Sequence, residues 1–133
     1  MEIIREVKSL NLPEGKYVVF GSGPLQVHGI RQSSDIDILT TPELYDRLKN
    51  QGWDEGRWEP PYPGSYLYRG NFQIVNNWNY GVYNPDPRQL IDTAEIIDGV
   101  PFVPLQEVLL WKRAFGREKD KEDIRLIEEY LSK

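Results

Sequence analysis

Two aspartates one residue apart in an apolar run constrain most strongly what this chain can fold into. Asp35 and Asp37 stand between Ile36 and Ile38, in a segment whose apolar residues predict a buried strand. Alternate side chains of a strand share a face, so both carboxylates are expected to point one way and the isoleucines the other. Neighbouring carboxylates repel each other unless a positive charge lies between them, and Mg²⁺ prefers such oxygen ligands. The pattern therefore indicates a divalent-cation site.

The same residues also have a purely structural interpretation, in which one aspartate caps a turn and the other is a solvated strand end. A similar choice applies to Gly21-Ser22, which follows the apolar run 17–20 and precedes a helix beginning near Pro24. This turn could offer backbone N–H groups and the Ser22 hydroxyl to a phosphate. Alternatively, glycine is needed there only to make a tight connection between strand and helix.

Composition narrows the functional classes. The 133 residues are expected to form one domain, 1–133, with a net charge of −5 that argues against general binding of duplex nucleic acid. Because the sequence has no cysteine and a single histidine, His28, disulfides, thiol catalysis and histidine-based metal clusters are excluded. No window resembles a membrane span and the N-terminus lacks a signal-peptide pattern, so we expect a cytoplasmic protein without membrane contact.

The order of predicted elements favours a single domain that mixes helices and strands. The middle of the chain, 53–64, is the least regular part, and 76–88 is expected to be a polar, aromatic loop. The predicted helices are 2–10, a short one from Pro24 to Gly29, one after the N-cap Thr41, 89–93, one opened by Pro104 and broken at Gly116, and 119–131 with Ile124, Ile127 and Leu131 inward. The predicted strands are 17–20, the aspartate strand, a hairpin of 66–68 with 72–75, and a hairpin at Asp98-Gly99 that joins 95–97 to 100–103.

Taken together, an apolar strand, Gly21-Ser22 and Asp35-x-Asp37 in a second apolar strand resemble the signature of the nucleotidyltransferase superfamily, which has the polymerase-beta-like fold. The resemblance implies an α+β fold, a mixed β-sheet flanked by helices with a C-terminal helical pair. It also implies that Gly21 and Ser22 hold the triphosphate of a nucleoside triphosphate, and that Asp35 and Asp37 are catalytic residues that bind Mg²⁺. The implied reaction is metal-assisted transfer of a nucleoside monophosphate to an unidentified acceptor, which is a protein, an RNA or a small molecule.

The C-terminal part adds to this resemblance. Lys112, Arg117, Lys119, Asp120 and Asp123 form a pattern similar to the C-terminal helices of small bacterial nucleotidyltransferase-fold proteins, including those related to abortive-infection toxins. By this resemblance Lys112 and Arg117 bind the nucleotide. Asp120 and Asp123 lie three residues apart, hence on one helix face, and could orient the two cations. The structural alternative is a solvated charged face with intrahelical pairs.

The sequence departs from the superfamily pattern at one position. Active members carry a third carboxylate on a later strand, but the matching segment 71–77 has no acid, and Asn71 or Gln73 takes that place. An amide oxygen can bind a cation, yet it is uncharged and cannot act as a general base. The chain is therefore a transferase, a catalytically inactive binding or regulatory module of the toxin–antitoxin type, or, if the whole signature is a coincidence, a purely structural α/β domain. The acidic residues that could complete the site from neighbouring segments are Asp86, Asp92 and Glu95.

Three weaker features have two interpretations each. His28 could approach the phosphates or be an ordinary packed or surface histidine, and Arg31 could contact phosphate or pair with acidic side chains. The aromatic residues of the middle segment could stack on a base or line an acceptor groove; alternatively, they close the core. These aromatic residues are Trp53, Trp58, Tyr62, Tyr66, Tyr68, Trp78, Tyr80 and Tyr83.

Overall fold

The structure, a computed structural model, describes residues 2–59, 64–79 and 83–133, and within these ranges helices and strands alternate. The helices are α1 (Glu2–Lys8), α2 (Gly23–Val27), α3 (Pro42–Asn50), α4 (Pro87–Asp92), α5 (Leu105–Phe115) and α6 (Asp120–Leu131). The strands are β1 (Tyr17–Phe20), β2 (Ile36–Thr40), β3 (Asp54–Arg57), β4 (Ser65–Arg69), β5 (Phe72–Val75), β6 (Glu95–Ile97) and β7 (Val100–Phe102).

The strands form one mixed, seven-stranded sheet in the order β3-β4-β5-β2-β1-β7-β6. The central strand, β2, is antiparallel to β1 and parallel to β5. β7 is parallel to β1, and the remaining pairs are antiparallel. The expectation of an α+β protein with a mixed sheet and helices is thereby confirmed, whereas a nucleotidyltransferase-like arrangement stays a prediction.

Alternation along β1 and β2 divides the buried side chains between the two faces of the sheet. Val19 and Ile38 belong to a core that includes side chains of α1 and α3. Val18, Phe20 and Leu39 belong to a second core, which includes side chains of α4, α5 and α6. The aspartates are on the second face, the one that the C-terminal helices cover.

Several local predictions are confirmed. The Thr41 hydroxyl accepts a hydrogen bond from the Leu44 amide (3.2 Å) and caps α3. Asp98 and Gly99, with φ of 50° and 84°, form the turn between β6 and β7. α5 ends at Phe115, and Gly116 follows it with a φ of 61°, which suits a glycine after a helix. The predicted hairpin of β4 and β5 is also present.

Other predictions are wrong in detail. The segment regarded as irregular contains β3, which pairs with β4, while residues 60–63 lie outside the described ranges. Leu131 was predicted to face inward but is 38% exposed. Of the other two apolar residues of α6, Ile127 is buried and Ile124 is partly buried. α1 ends two residues earlier than predicted and α4 begins earlier, at Pro87. Of the predicted loop 76–88, residues 80–82 are outside the described part of the chain.

Within those described ranges, the structure contains no helix with the length and apolarity needed to cross a bilayer.

Candidate functional site

The Gly21-Ser22 turn lies directly against the aspartate strand. Gly21 has φ of 64°, and a Cβ atom on it would lie 3.1 Å from Cγ of Asp37 and overlap its Oδ2 atom. The Ser22 hydroxyl donates to the Ser33 hydroxyl (2.8 Å), which joins the turn to the segment before β2. Glycine is thus required here for two reasons, the backbone conformation and the close approach of a carboxylate.

Asp37 has the geometry that the alternation of a strand predicts, whereas Asp35 lies outside β2. Asp37 pairs with Phe20 of β1 and with Gln73 of β5, so these three side chains share the face that the C-terminal helices cover. Asp35, just before β2, is exposed, whereas Asp37 is half-buried. Neither carboxylate has a hydrogen-bond partner among the described residues. Both are therefore available to a cation.

The pKa of Asp37 is raised to about 6. Burial and the negative charge of Asp35 raise it, and the positive charges of Lys112, Arg117 and Lys119 act in the opposite direction. The electrostatic influence of these cations shows that α5 and the segment between α5 and α6 place positive charge near Asp37. The raised pKa indicates that the cations do not fully compensate for burial.

Lys112 is the centre of an ionic cluster beside this pair. It is only 3% exposed, and its Nζ atom lies 3.3 Å from Oδ1 of Asp120 and 3.0 Å from Oδ2 of Asp123. Arg117 forms two hydrogen bonds with Asp120 (2.7 and 2.9 Å), and Arg31 forms two with Asp123 (2.6 and 2.8 Å). The ionic cluster thus consists of three cations that share two carboxylates, and one positive charge is left over.

Hydrogen bonding and charge keep both carboxylates of the ionic cluster ionised. Burial raises the pKa of Asp120, but hydrogen bonds from Arg117 and the charge of Lys112 lower it below its usual value. Burial acts in the same way on Asp123, and hydrogen bonds from Arg31 and Lys112 lower its pKa overall. These ion pairs are buried and share partners, unlike a solvated charged face.

Aromatic rings hold the cations of α5 and of the segment after it. Nζ of Lys112 lies 4.6 Å from the centre of the Trp111 ring, and Cζ of Arg117 lies 4.8 Å from that of Phe115. Trp111 packs in turn on Phe20, with ring centres 5.3 Å apart. Since Phe20 pairs with Asp37, this stack connects the cations to the strand that carries the carboxylate.

The structure brings most of the predicted site residues together. Gly21, Ser22, Asp35 and Asp37 are adjacent, and Lys112 and Arg117 act on the charge of Asp37. Lys119 was not predicted from the sequence as a site residue. It forms no ion pair among the described residues. Its position beside Asp120 in the charged motif was the available signal.

The two single candidates have partners of their own. Nε2 of His28 is 2.8 Å from Oε1 of Glu95, and its Nδ1 is 3.5 Å from the hydroxyl of Tyr130. Arg31 pairs with the acidic side chain of Asp123, as one of its two interpretations predicted. Tyr62 and Tyr80, two of the aromatic candidates, lie outside the described residues.

The register of β2 and β5 places Gln73 directly beside Asp37, where a third carboxylate was sought. Asp86 caps α4 by accepting a hydrogen bond from the Arg88 amide (3.0 Å), and Glu95 is bonded to His28. In the described part of the chain, no three acidic or histidine side chains are grouped so that they could hold a metal ion. Asp86, Asp92 and Glu95 therefore do not complete such a group.

Compared with models of known protein families, with curated proteins and with solved structures, the chain matches none of them significantly.

The contact between Gly21 and Asp37 gives a first prediction. Gly21→Ala should lower the free energy of unfolding by more than the roughly 1–3 kcal/mol expected from backbone strain, because the new methyl group also displaces the carboxylate. Gly15→Ala is the matched control, since Gly15 also has positive φ (79°) but no atom lies within 4 Å of an added Cβ. Urea unfolding measures both variants. Equal losses of stability would contradict the close approach.

The ionic cluster gives a second prediction. Lys112→Met leaves two buried carboxylates without a shared cation and should cost about 3–5 kcal/mol of unfolding free energy. Arg113→Met, one position further along α5, removes an exposed pair with Glu128 and should cost less than about 1 kcal/mol. Thermal and urea unfolding would measure both. A loss at Lys112 no larger than that at Arg113 would show that the ionic cluster is solvated.

The raised pKa of Asp37 gives a third prediction. Between about pH 4 and 6 the folded protein keeps a proton that the unfolded chain has lost, so this group lowers stability as pH rises. With divalent ions removed by chelation, Asp37→Asn should therefore be more stable than wild type by up to roughly 3 kcal/mol near pH 7, and not near pH 4. Asp46→Asn, at an exposed position of α3, should change neither value and serves as the control.

Proposed function

We propose that this protein binds a Mg²⁺–nucleoside triphosphate complex beside the Gly21-Ser22 turn and transfers a nucleoside monophosphate from it to an acceptor. The observation that carries the proposal is the arrangement of Asp35 and Asp37. The charge of Asp35 acts on Asp37, neither carboxylate has a hydrogen-bond partner among the described residues, and the positive charges of Lys112, Arg117 and Lys119 also act on Asp37.

The residues present fit a cation that is bound jointly by the protein and by the phosphates of the nucleotide. Asp35 and Asp37 offer carboxylate oxygens, and Mg²⁺ commonly takes only one or two protein carboxylates together with waters and substrate phosphates. When bound, such an ion neutralises the negative charge of the phosphates. The absence of a third ligand among the described residues argues against a metal site independent of nucleotide.

The triphosphate is bound by Ser22 and by cations near Asp37. The Ser22 hydroxyl can donate to a phosphate oxygen, since its present acceptors are uncharged: the Ser33 hydroxyl (2.8 Å) and the Asp35 carbonyl (3.4 Å). Arg117 and Lys119 are the cations with exposed surface, whereas Lys112 is enclosed by its two ion pairs. We assign phosphate contacts to Arg117 and Lys119, and to Lys112 the role of adding charge and positioning α6.

The proposed step is an in-line displacement at the α-phosphorus. The acceptor oxygen forms a bond to phosphorus, the bond to the bridging oxygen breaks, and pyrophosphate leaves with that electron pair. The acceptor proton passes to solvent. Positive charge from Arg117 and Lys119 stabilises the leaving pyrophosphate.

A second candidate function is binding without transfer, as in a regulatory module of the toxin–antitoxin type. The observation that favours it is Gln73, whose amide stands in register with Asp37. An amide there cannot take the acceptor proton and adds no negative charge to hold a further cation. Nucleotide would then bind without reacting.

Calorimetry tests nucleotide binding. We expect wild-type protein to bind a nucleoside triphosphate only with Mg²⁺ present, and Asp35→Ala and Asp37→Ala to lower the affinity at least about tenfold, since each removes a charged ligand. Asp46→Asn, far from the turn in sequence and exposed, should leave binding unchanged. Absence of binding for all four common triphosphates, or full binding by both alanine variants, would refute the proposal.

Radiolabelled nucleotides separate the two candidates. Protein, Mg²⁺ or Mn²⁺ and a cell lysate are incubated with triphosphates labelled at the α-phosphate, and labelled macromolecules and small molecules are resolved. A product that Asp37→Asn abolishes and Gln73→Asp increases supports transfer. Binding by calorimetry without any labelled product, even for Gln73→Asp, supports the inactive module.

A further inference from the structure

A cavity of about 250 Å³ lies beside the carboxylates, where β3, β4 and β5 meet. It begins at Asp35 and extends past Gln73 to Tyr66, Tyr68 and Gly56. The pairing of Tyr68 with Gln73, and of Gln73 with Asp37, puts these side chains on one face of the sheet. The cavity thus reaches Asp35 of the acidic pair.

Aromatic rings form its wall. The ring centres of Tyr66 and Trp58 are 4.4 Å apart, and those of Tyr66 and Tyr68 are 6.0 Å apart. Tyr66 lies so close to Gly56 that an added Cβ would be 2.6 Å from its Cζ atom, so a glycine is needed for the ring to lie there. Tyr68 remains 40% exposed. Planar apolar surface is therefore available to a ligand.

Four polar side chains of the cavity have no hydrogen-bond partner among the described residues. This applies to the amide of Gln73, the hydroxyls of Tyr66 and Tyr68, and the carboxylate of Asp35. The neighbouring Asn71 differs, because its amide donates to the carbonyl of Ser34 (2.6 Å) and so holds the segment before β2. Donors and acceptors thus line the cavity together with aromatic rings.

We infer that this cavity holds the planar base of the acceptor, which is a nucleoside or the end of a single-stranded RNA; the inference rests on the proposed function. Aromatic side chains stack on bases, and the amide of glutamine can form two hydrogen bonds with a base edge. The volume is below the roughly 300–1,000 Å³ of pockets that enclose a whole drug-sized ligand, which suits one ring system.

The order of the strands assigns the cavity to the acceptor rather than to the nucleotide that reacts. Gly21-Ser22 follows β1 on one side of β2, whereas β5 and β4 lie on the other side. In an in-line displacement the attacking and leaving oxygens are on opposite sides of phosphorus. With pyrophosphate at the Gly21-Ser22 turn, the acceptor enters from the side of Gln73 and Tyr68.

Calorimetry on the intact protein tests this assignment in two steps. A non-hydrolysable triphosphate with Mg²⁺ is titrated first; adenosine, cytidine, guanosine, uridine and a single-stranded RNA trinucleotide are then titrated into the saturated protein. We expect at least one of these probes to bind, and Tyr68→Ala to weaken its binding about tenfold through lost stacking. Tyr130→Ala is the matched control, since Tyr130 is 39% exposed and lies on α6. It should change neither titration.

The two steps distinguish the possible failures. If the triphosphate does not bind, the proposed function is wrong. If the triphosphate binds but no probe does, or Tyr68→Ala binds the probe as well as wild type, only the present inference is wrong. If Tyr68→Ala weakens triphosphate binding instead, the cavity holds the base of that nucleotide and the assignment to the acceptor is refuted. Tighter binding of the trinucleotide than of any nucleoside supports an RNA end, and equal binding supports a nucleoside.

Discussion

The other features of the candidate site depend on the negative charge that β2 carries in the middle of the sheet. Asp37 is half-buried on the central strand and has Asp35 on the same face, so its charged form is disfavoured. A core strand tolerates such a pair only if a proton or a cation compensates it. The chain supplies part of this compensation through Lys112, Arg117 and Lys119, and the remaining deficit is what a bound cation would fill.

The cations are held in position by protein carboxylates rather than by solvent. Asp123 connects Lys112 of α5 to Arg31, which precedes β2, and Asp120 connects Lys112 to Arg117. One ionic cluster thus fixes α5, α6 and the approach to the aspartate strand relative to one another. Desolvating such groups is costly, and a buried pair adds little net stability. We therefore attribute the ionic cluster to positioning: it keeps positive charge near Asp37 while leaving Arg117 partly exposed.

Local signals in the sequence predicted the elements that depend on local chemistry. The cap at Thr41 and the Asp98-Gly99 turn were both predictable, because each is decided within a few residues. β3 was missed because its sequence is polar and it exists as an edge strand through pairing with β4. The pair of Arg31 with Asp123 joins positions 92 residues apart, and no pattern of spacing could select it over the alternative of a phosphate contact. The resemblance supplied a role for Gln73 as a substitute, but only the register of β2 and β5 places its amide beside Asp37.

The position of Gln73 is also where the two candidate functions separate physically. With an acid at this position, three carboxylates would crowd one end of the sheet, and each would depend on cations to ionise. With glutamine, the charge stays at two carboxylates, which one divalent ion can balance, and the leftover positive charge of the ionic cluster remains for an anion. The amide keeps donors and acceptors facing the cavity at Tyr68 without adding charge. Under the proposed function, the glutamine that weakens proton abstraction also suits recognition of an uncharged base, and we propose that the site binds two ligands side by side whether or not the phosphoryl group moves between them.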